Sequence, residues 1–382
     1  MYVSNFKKPL PIIGKLDIDW ILFFPTLCVS VLGLLTMNSF VGNNTYFFKQ
    51  TIWLIISIIS FFVLALFDFR FFRKTNIVVI IFVSALLMLL FLFVTGNVMK
   101  GALSWFNLGL LSFQPVEFVK LALIILLSKY FSRRHIEIAN IQHIIVSGLY
   151  SFFVFILVLF QPDFGSALII LLIWLGMILV SGVSKKHLFI VFALGIVSFS
   201  ILWGFVLHDY QKQRIVNFLH PLADIRGAGY SAYQSTIAVG SGQILGKGVG
   251  YGTQSKLQFL PAYHTDFIFA AYAEEWGFIG VVILFGLFGV ILARILFNAY
   301  YGATNFEILF GLGLSVLFMS HFIVNVGMNI GIMPVTGITF PFMSYGGTNL
   351  FISFSALGIL MGMRKYKRAT HKDLMENEFL GI

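Results

Sequence analysis

The sequence predicts an all-α integral membrane protein of about ten transmembrane helices, with one large polar loop between the seventh and the eighth. Three observations carry that prediction. Hydrophobic residues make up 59% of the 382-residue chain and charged residues only 10%, whereas soluble domains carry about a quarter charged residues. Mean hydropathy is +0.95, and the apolar residues fall into segments of the length a bilayer crossing requires, roughly 20 residues. The charges gather in short clusters between those segments, where topology signals sit. The net charge of +10 is therefore read as topology, and no nucleic acid is expected as a partner.

The candidate spans lie at about 18–39, 48–68, 75–95, 115–131, 143–160, 164–182, 187–207, 266–294, 306–329 and 346–364. Lys7, Lys8 and Lys15 precede the first, which lacks a small-residue cleavage site and reads as a retained span. Its Cys28 is the chain's single cysteine, which excludes an intramolecular disulfide. The fourth segment is interrupted by Glu117 and Lys120, but topology requires it. With the N-terminus inside, the inner loops hold Arg70, Arg73 and Lys74, then Lys129, Arg133 and Arg134, then Lys185 and Lys186, then Arg294. The tail holds Arg364, Lys365, Lys367 and Arg368. Alternate loops are basic only if all ten segments cross. One membrane domain, 1–368, is expected, with an extracytoplasmic loop at 208–265 and a short cytoplasmic tail at 369–382.

The unusual sequence then falls on the outer face: Gly101–Lys120, Gln161–Ala167, the long loop and Gly331–Asn349. Even-numbered spans start at that face, so their helix N-termini point there. Such ends carry partial positive charge and free N–H groups, which suits a diphosphate.

Several side chains have both a chemical and a plain structural reading. Asp266 opens the eighth span, where it would either cap the helix or act as an acid at the membrane surface. Glu274 and Glu275 follow, and a straight helix from Glu275 to Arg294 would rise about 28 Å, leaving Asp266 roughly 13 Å further out. Glu117 and Lys120 share a helix face three residues apart; Lys120 needs Glu117 or Asp163 as a partner, and Pro115 suits a first helical turn. Asp163 is balanced between capping the sixth span and a site role. His321 and Asn325 read as interhelical hydrogen-bonding groups, without the ligand spacing of a zinc site. The glycines from Gly240 to Gly252 are not followed by the Lys-Ser/Thr of a phosphate-binding loop and suit a tight irregular loop. No G-x-S-x-G or H-E-x-x-H occurs.

Six segments make the chain resemble the SEDS family (shape, elongation, division and sporulation) over roughly 17–368. They are WFNLG at 105–109, QPVEFVKLA at 114–122, QPDFGSAL at 161–168, GAGYSAYQSTIAVGSGQILGKG at 227–248, GTQSKLQFLPAYHTDFIFAAYAEEWGFIG at 252–280 and GIMPVTGITFPFMSYGGTNL at 331–350. GTQS followed by LQFLP points to the elongation type rather than the division type. The resemblance implies a ten-span SEDS fold and a peptidoglycan glycosyltransferase that polymerises lipid II on the outer side of the bacterial plasma membrane. It implies a class B penicillin-binding transpeptidase as partner, with other elongation-complex membrane proteins. The family's essential acid matches Asp266, and Glu117 and Asp163 match further acids of its outer cavity. The matching segments bring Lys120, Gln234, Ser235, Lys247, Lys256, His264, Thr265 and Ser344 into substrate-binding or supporting roles. The chain departs from the family pattern at Ser104, Val116, Ala262 and Asp224–Gly227, and the departures at Ala262 and Ser104 weaken any role for those side chains.

The expected chemistry is one inverting displacement, which needs a base and a means of holding the departing undecaprenyl diphosphate. Asp266 is the expected base, with Lys247, Lys256 or Arg214 near the leaving group. A divalent cation, Mg²⁺ or Mn²⁺, is a further expectation, held by Asp266, Glu117 or Asp163 together with phosphate. A lipid II flippase is the competing reading; transporters place their sites near the midplane, whereas the unusual residues here gather on one face.

Overall fold

The structure is a computed structural model describing residues 17–39, 45–95, 97–99, 102–108, 111–132, 141–182 and 229–379, with isolated positions between 186 and 218. Six helices follow the first six expected spans: α1 (Trp20–Asn38), α2 (Thr45–Leu66), α3 (Thr75–Thr95), α4 (Pro115–Ser132), α5 (Ile141–Phe160) and α6 (Phe164–Ser181). The expected seventh span, 187–207, lies outside the described residues apart from isolated positions, as does most of 208–228. Two short helices come next, α7 (Tyr230–Ser241) and α8 (Thr253–Lys256). Then follow α9 (Ile268–Tyr300), α10 (Asn305–Asn329) and α11 (Gly347–Phe379).

Seven of the described helices are long and apolar enough to cross a membrane by length and composition. α4 is not one of them, because Glu117, Lys120 and Lys129 interrupt it. Packing explains how it is tolerated. α4 is buried along almost its whole length, enclosed by α3, α6, α10 and α11. Its charges face protein rather than lipid, the arrangement that makes intramembrane charge affordable. The fit against α10 is close: a Cβ added at Gly313 would lie 2.6 Å from Ile124 Cγ2, the small-residue packing that membrane helices rely on.

A small antiparallel sheet, absent from the all-helical expectation, occupies the loop after α3. Its strands are β1 (Asn97–Met99), β2 (Ala102–Leu108) and β3 (Leu111–Phe113), in the order β1-β2-β3. Thr348 at the start of α11 pins its end. The Thr348 hydroxyl donates to Ser112 O at 3.1 Å and accepts from Gln114 N at 3.1 Å.

Ion pairs tie one end of the bundle together. Asp19 caps α1 through Ile21 N, 3.1 Å. Its other oxygen accepts from Arg294 Nη2 at 2.6 Å and Asn298 Nδ2 at 2.9 Å on α9, with Arg364 of α11 at 3.5 Å. Arg73 pairs with Glu307 at 2.7 Å, and Glu307 closes a capping box with Thr304 at the start of α10.

α9 is not the straight helix expected from its length. Gly277 has φ 65° and ψ −167°, which breaks it into two parts. The cause is a wedge. The loop after α7 enters the kink, and a Cβ on Gly277 would lie 2.2 Å from Gly246 N. The simple rise from Arg294 out to Asp266 therefore fails, both at Gly277 and because regular helix starts only at Ile268.

Candidate functional site

Asp266 lies in the turn that precedes α9. Thr265, Asp266 and Phe267 all direct their N–H groups to Ala262 O, at 3.0, 3.1 and 3.3 Å, and Ala262 takes a φ of 46° to close the turn. Phe267, not Asp266, occupies the N-cap position of α9. The capping reading of Asp266 therefore does not hold. Its carboxylate is half-buried and takes no hydrogen bond from a described residue, while its backbone is firmly held. Asn325 Nδ2 and Asn329 Nδ2 both donate to Asp266 O, at 3.0 and 3.1 Å. The backbone of Gly337 runs beside the carboxylate, where an added Cβ would lie 3.8 Å from Asp266 Oδ2.

The two Asn side chains lie one turn apart on α10 and reach several elements. Asn325 Nδ2 also donates to Ile338 O at 2.7 Å. Asn329 Oδ1 accepts from Ala270 N, inside the first turn of α9, at 3.1 Å. The Ser235 hydroxyl of α7 donates to Asn329 O at 2.8 Å. Ser235 thus supports the site from a distance; Gln234 beside it keeps a buried Oε1 without a partner.

The residues before Asp266 are stitched to the segment before α11. Tyr345 N donates to His264 O at 2.8 Å, and the Ser344 hydroxyl donates to Thr265 O at 2.7 Å. Gln50 of α2 closes the set, donating to Ser344 O at 3.1 Å and accepting from Gly346 N at 3.2 Å. The His264 ring stacks on Tyr46 with centroids 4.0 Å apart. Burial, with a smaller contribution from Tyr46, raises the pKa of the Tyr345 phenol, so it adds no negative charge there.

Glu117 and Lys120 pair in the interior, as expected, at 2.8 Å. Lys120 Nζ also lies 3.1 Å from His321 Nε2. An ammonium has no acceptor, so His321 Nε2 accepts, which places the ring proton on Nδ1. Nδ1–H then faces Thr339 O at 3.3 Å. The other Glu117 oxygen accepts from Asn349 Nδ2 at 3.0 Å. The network joins α4, α10 and α11 beside a cavity of about 10 Å³ bordered by Glu117, His321 and Asn349, room for about one water. His321 and Asn325 are thus hydrogen-bonding groups, as their spacing suggested. Asp163 is not the partner of Lys120; it caps α6, accepting from Ser166 N at 2.9 Å and the Ser166 hydroxyl at 2.8 Å.

Lys247 and Lys256 belong to a different network. Lys247 Nζ donates to Glu274 Oε1 at 2.7 Å and to Thr253 Oγ1 at 2.9 Å, and Lys256 Nζ reaches Gly250 O at 3.3 Å. Glu274, fully buried, also accepts from Thr253 N and Gln254 N at 2.8 and 3.1 Å. Arg214 lies outside the described residues. Among the described residues, no three His, Cys, Asp or Glu side chains gather as metal ligands. Of the three acids expected to hold a cation, Asp266 alone keeps both carboxylate oxygens unengaged.

A bundle of membrane-spanning helices with an open carboxylate at one end, its backbone braced by buried amides, defines a polytopic membrane protein with a candidate site at that end. Residues 18–369 match the FtsW/RodA/SpoVE family, described as cell cycle protein, and the chain belongs to that family. It is 37% identical over 279 residues to the peptidoglycan glycosyltransferase MrdB of Escherichia coli (strain K12), covering 73% of this chain and 75% of that one. It is 33% identical over 365 residues to stage V sporulation protein E of Bacillus subtilis (strain 168), covering 93% and 99%. Among solved structures, a chain from "Structural coordination of polymerization and crosslinking by a peptidoglycan synthase complex" superposes with TM-score 0.79 at 30% identity, covering 92% of this chain and 99% of that one. The rod shape determining protein RodA of Thermus thermophilus superposes with TM-score 0.70 at 28% identity, covering 92% and 98%.

Proposed function

We propose that this chain is a peptidoglycan glycosyltransferase of the elongation type, which polymerises lipid II into glycan strands during rod-shaped growth. Its similarity to MrdB supports the activity and the type. The observation that carries the mechanism is the contrast at Asp266: a fixed backbone and a carboxylate left open. The donor carries undecaprenyl diphosphate on the anomeric carbon of its MurNAc. Asp266 takes the proton from the GlcNAc 4-hydroxyl of the acceptor, whose oxygen bonds to that carbon. The carbon–oxygen bond to the diphosphate breaks, and its electron pair leaves with the phosphate. A single displacement of this kind inverts the anomeric centre, and general-base catalysis typically contributes 10²–10⁴-fold. A divalent cation, held by Asp266 together with phosphate oxygens, would neutralise charge on the leaving group.

Glu117, Lys120 and His321 act in this reading as a buried brace for the walls of the site. The protein sits in the plasma membrane with both termini cytoplasmic. In this reading the end of the bundle with the Asp19–Arg294–Arg364 cluster is the inner one and the end with Asp266 the outer one, which is supported by the alternation of basic loops in the sequence. A class B penicillin-binding transpeptidase is the proposed partner, supported by similarity to a chain of a synthase that polymerises and crosslinks. Purified protein in liposomes with labelled lipid II tests the activity. Glycan polymer is the expected product; transfer of lipid II between leaflets without polymer would instead identify a flippase.

A further inference from the structure

The loop between α7 and α8 has the construction of a membrane-seated element rather than a water-exposed one. In an aqueous loop the backbone faces solvent and apolar side chains turn in. Here the arrangement is reversed. The backbone N–H groups turn inward: Lys247 N and Gly248 N donate to Glu274 O and Glu275 O, each at 3.0 Å. Gly250 N donates to the Glu275 carboxylate at 3.0 Å, whose same oxygen accepts from the Ser39 hydroxyl. In return, Phe278 N and Ile279 N of α9 donate to Gln243 O and Ile244 O, at 2.9 and 3.1 Å. Of the exposed side chains between the two helices, Gln243 is polar and Ile244, Leu245, Val249 and Tyr251 are apolar; Leu245 is 78% exposed and Ile244 67%.

The position of the loop along α9 supplies the second observation. Its backbone bonds fall at Glu274, Glu275, Phe278 and Ile279, on both sides of the Gly277 kink, within a helix that qualifies as a membrane span. From Arg294, which pairs with Asp19 at the other end, α9 rises about 24 Å to Phe278. The hydrocarbon layer is about 30 Å thick. The loop therefore meets the helix near the acyl–headgroup boundary. Next to it, Phe278, Ile279, Val282 and Ile283 form the exposed apolar face of α9, and Ile244 and Leu245 continue that face. Irregular backbone at this depth is tolerated only where its polar groups are satisfied by protein, which is what the Glu274 and Glu275 bonds accomplish.

We propose that the 242–252 loop is seated in the membrane interface, with phospholipid acyl chains covering Ile244 and Leu245. Val249 and Tyr251 lie at headgroup level, where aromatic rings collect. The inference does not depend on the reaction catalysed. Because the loop grips α9 one short helical stretch away from Asp266, it fixes the height of the site relative to the bilayer.

Site-directed spin labelling of the full chain tests this. Leu245→Cys, Ile244→Cys and Val249→Cys, each with Cys28→Ser, are labelled and reconstituted in phosphatidylcholine–phosphatidylglycerol liposomes. Collision with lipid-soluble oxygen is compared with collision with water-soluble nickel chelate, and Phe278→Cys serves as the lipid-facing reference. The expected oxygen-to-nickel collision ratio is above one at 245 and 244, close to that at 278, and lower at 249. A ratio below one at 244 and 245 would make this an aqueous loop. Low collision with both reagents would mean that protein covers it. Either result overturns the proposal.

Discussion

Asp266 is fixed through its carbonyl rather than its carboxylate. Two buried amides, on Asn325 and Asn329, hold the carbonyl, so the acid keeps its place without spending the oxygens it needs for chemistry. Lys120 shows the opposite arrangement: it is 1% exposed and shares its donors between Glu117 and His321. Breaking a buried pair by removing one partner costs about 3–5 kcal/mol, mostly because the other charge is left unpaired. Lys120→Met is thus expected to destabilise by about that amount, and Glu117→Gln combined with Lys120→Met by clearly less. Thermal unfolding in detergent across the double-mutant cycle measures the difference. Additive losses would show that the two groups do not act as a pair.

Among the elements, α9 departs most from its sequence pattern. Its sequence reads as one span, because Gly277 is one of several glycines there (Gly280, Gly286 and Gly289 follow) and nothing local singles it out as the kink. The kink exists because a distant loop bonds into it, and no local propensity encodes that. Gly277→Ala would place a Cβ 2.2 Å from Gly246 N at a φ of 65°, a backbone region that costs a non-glycine residue about 1–3 kcal/mol. The expected outcome is release of the 242–252 loop, read as faster protease cleavage there, while α4 and α10 stay intact. Unchanged cleavage would mean that the loop is held from elsewhere. α4 is the converse case. Hydropathy alone passes over it, whereas the alternation of basic loops requires it, because the count of crossings is a property of the whole chain. The only signal for Asn329 in the sequence is its i, i+4 spacing from Asn325 on an apolar helix. Sequence leaves Asp163 open between capping the sixth span and a site role, and Lys120 open between Glu117 and Asp163 as partner; in the fold Asp163 caps α6 through Ser166 and Lys120 pairs with Glu117.

At the scale of the molecule, the ion pairs separate the two ends. Asp19, Arg294 and Arg364 gather at one end with Arg73 and Glu307, and Asp266 stands beyond the far end of α9. Cysteine accessibility in cells tests the proposed orientation. In a Cys28→Ser background, Ile332→Cys is expected to react with an impermeant maleimide from outside, and Ala303→Cys only after permeabilisation. The reverse pattern would invert the topology and place the site in the cytoplasm. The small sheet formed by β1, β2 and β3 is a reminder that a loop between spans need not be irregular, since β3 leads into α4 and is tied to α11 through Thr348.

The open carboxylate of Asp266 is the proposed base for glycan polymerisation. Asp266→Asn keeps the size of the side chain and the Asn325 and Asn329 bonds to the backbone carbonyl, but removes the proton acceptor. With purified protein and labelled lipid II, the account predicts a fall in polymer of at least about 100-fold, with an unchanged melting temperature. Polymer at the unsubstituted level from folded Asp266→Asn protein would contradict it.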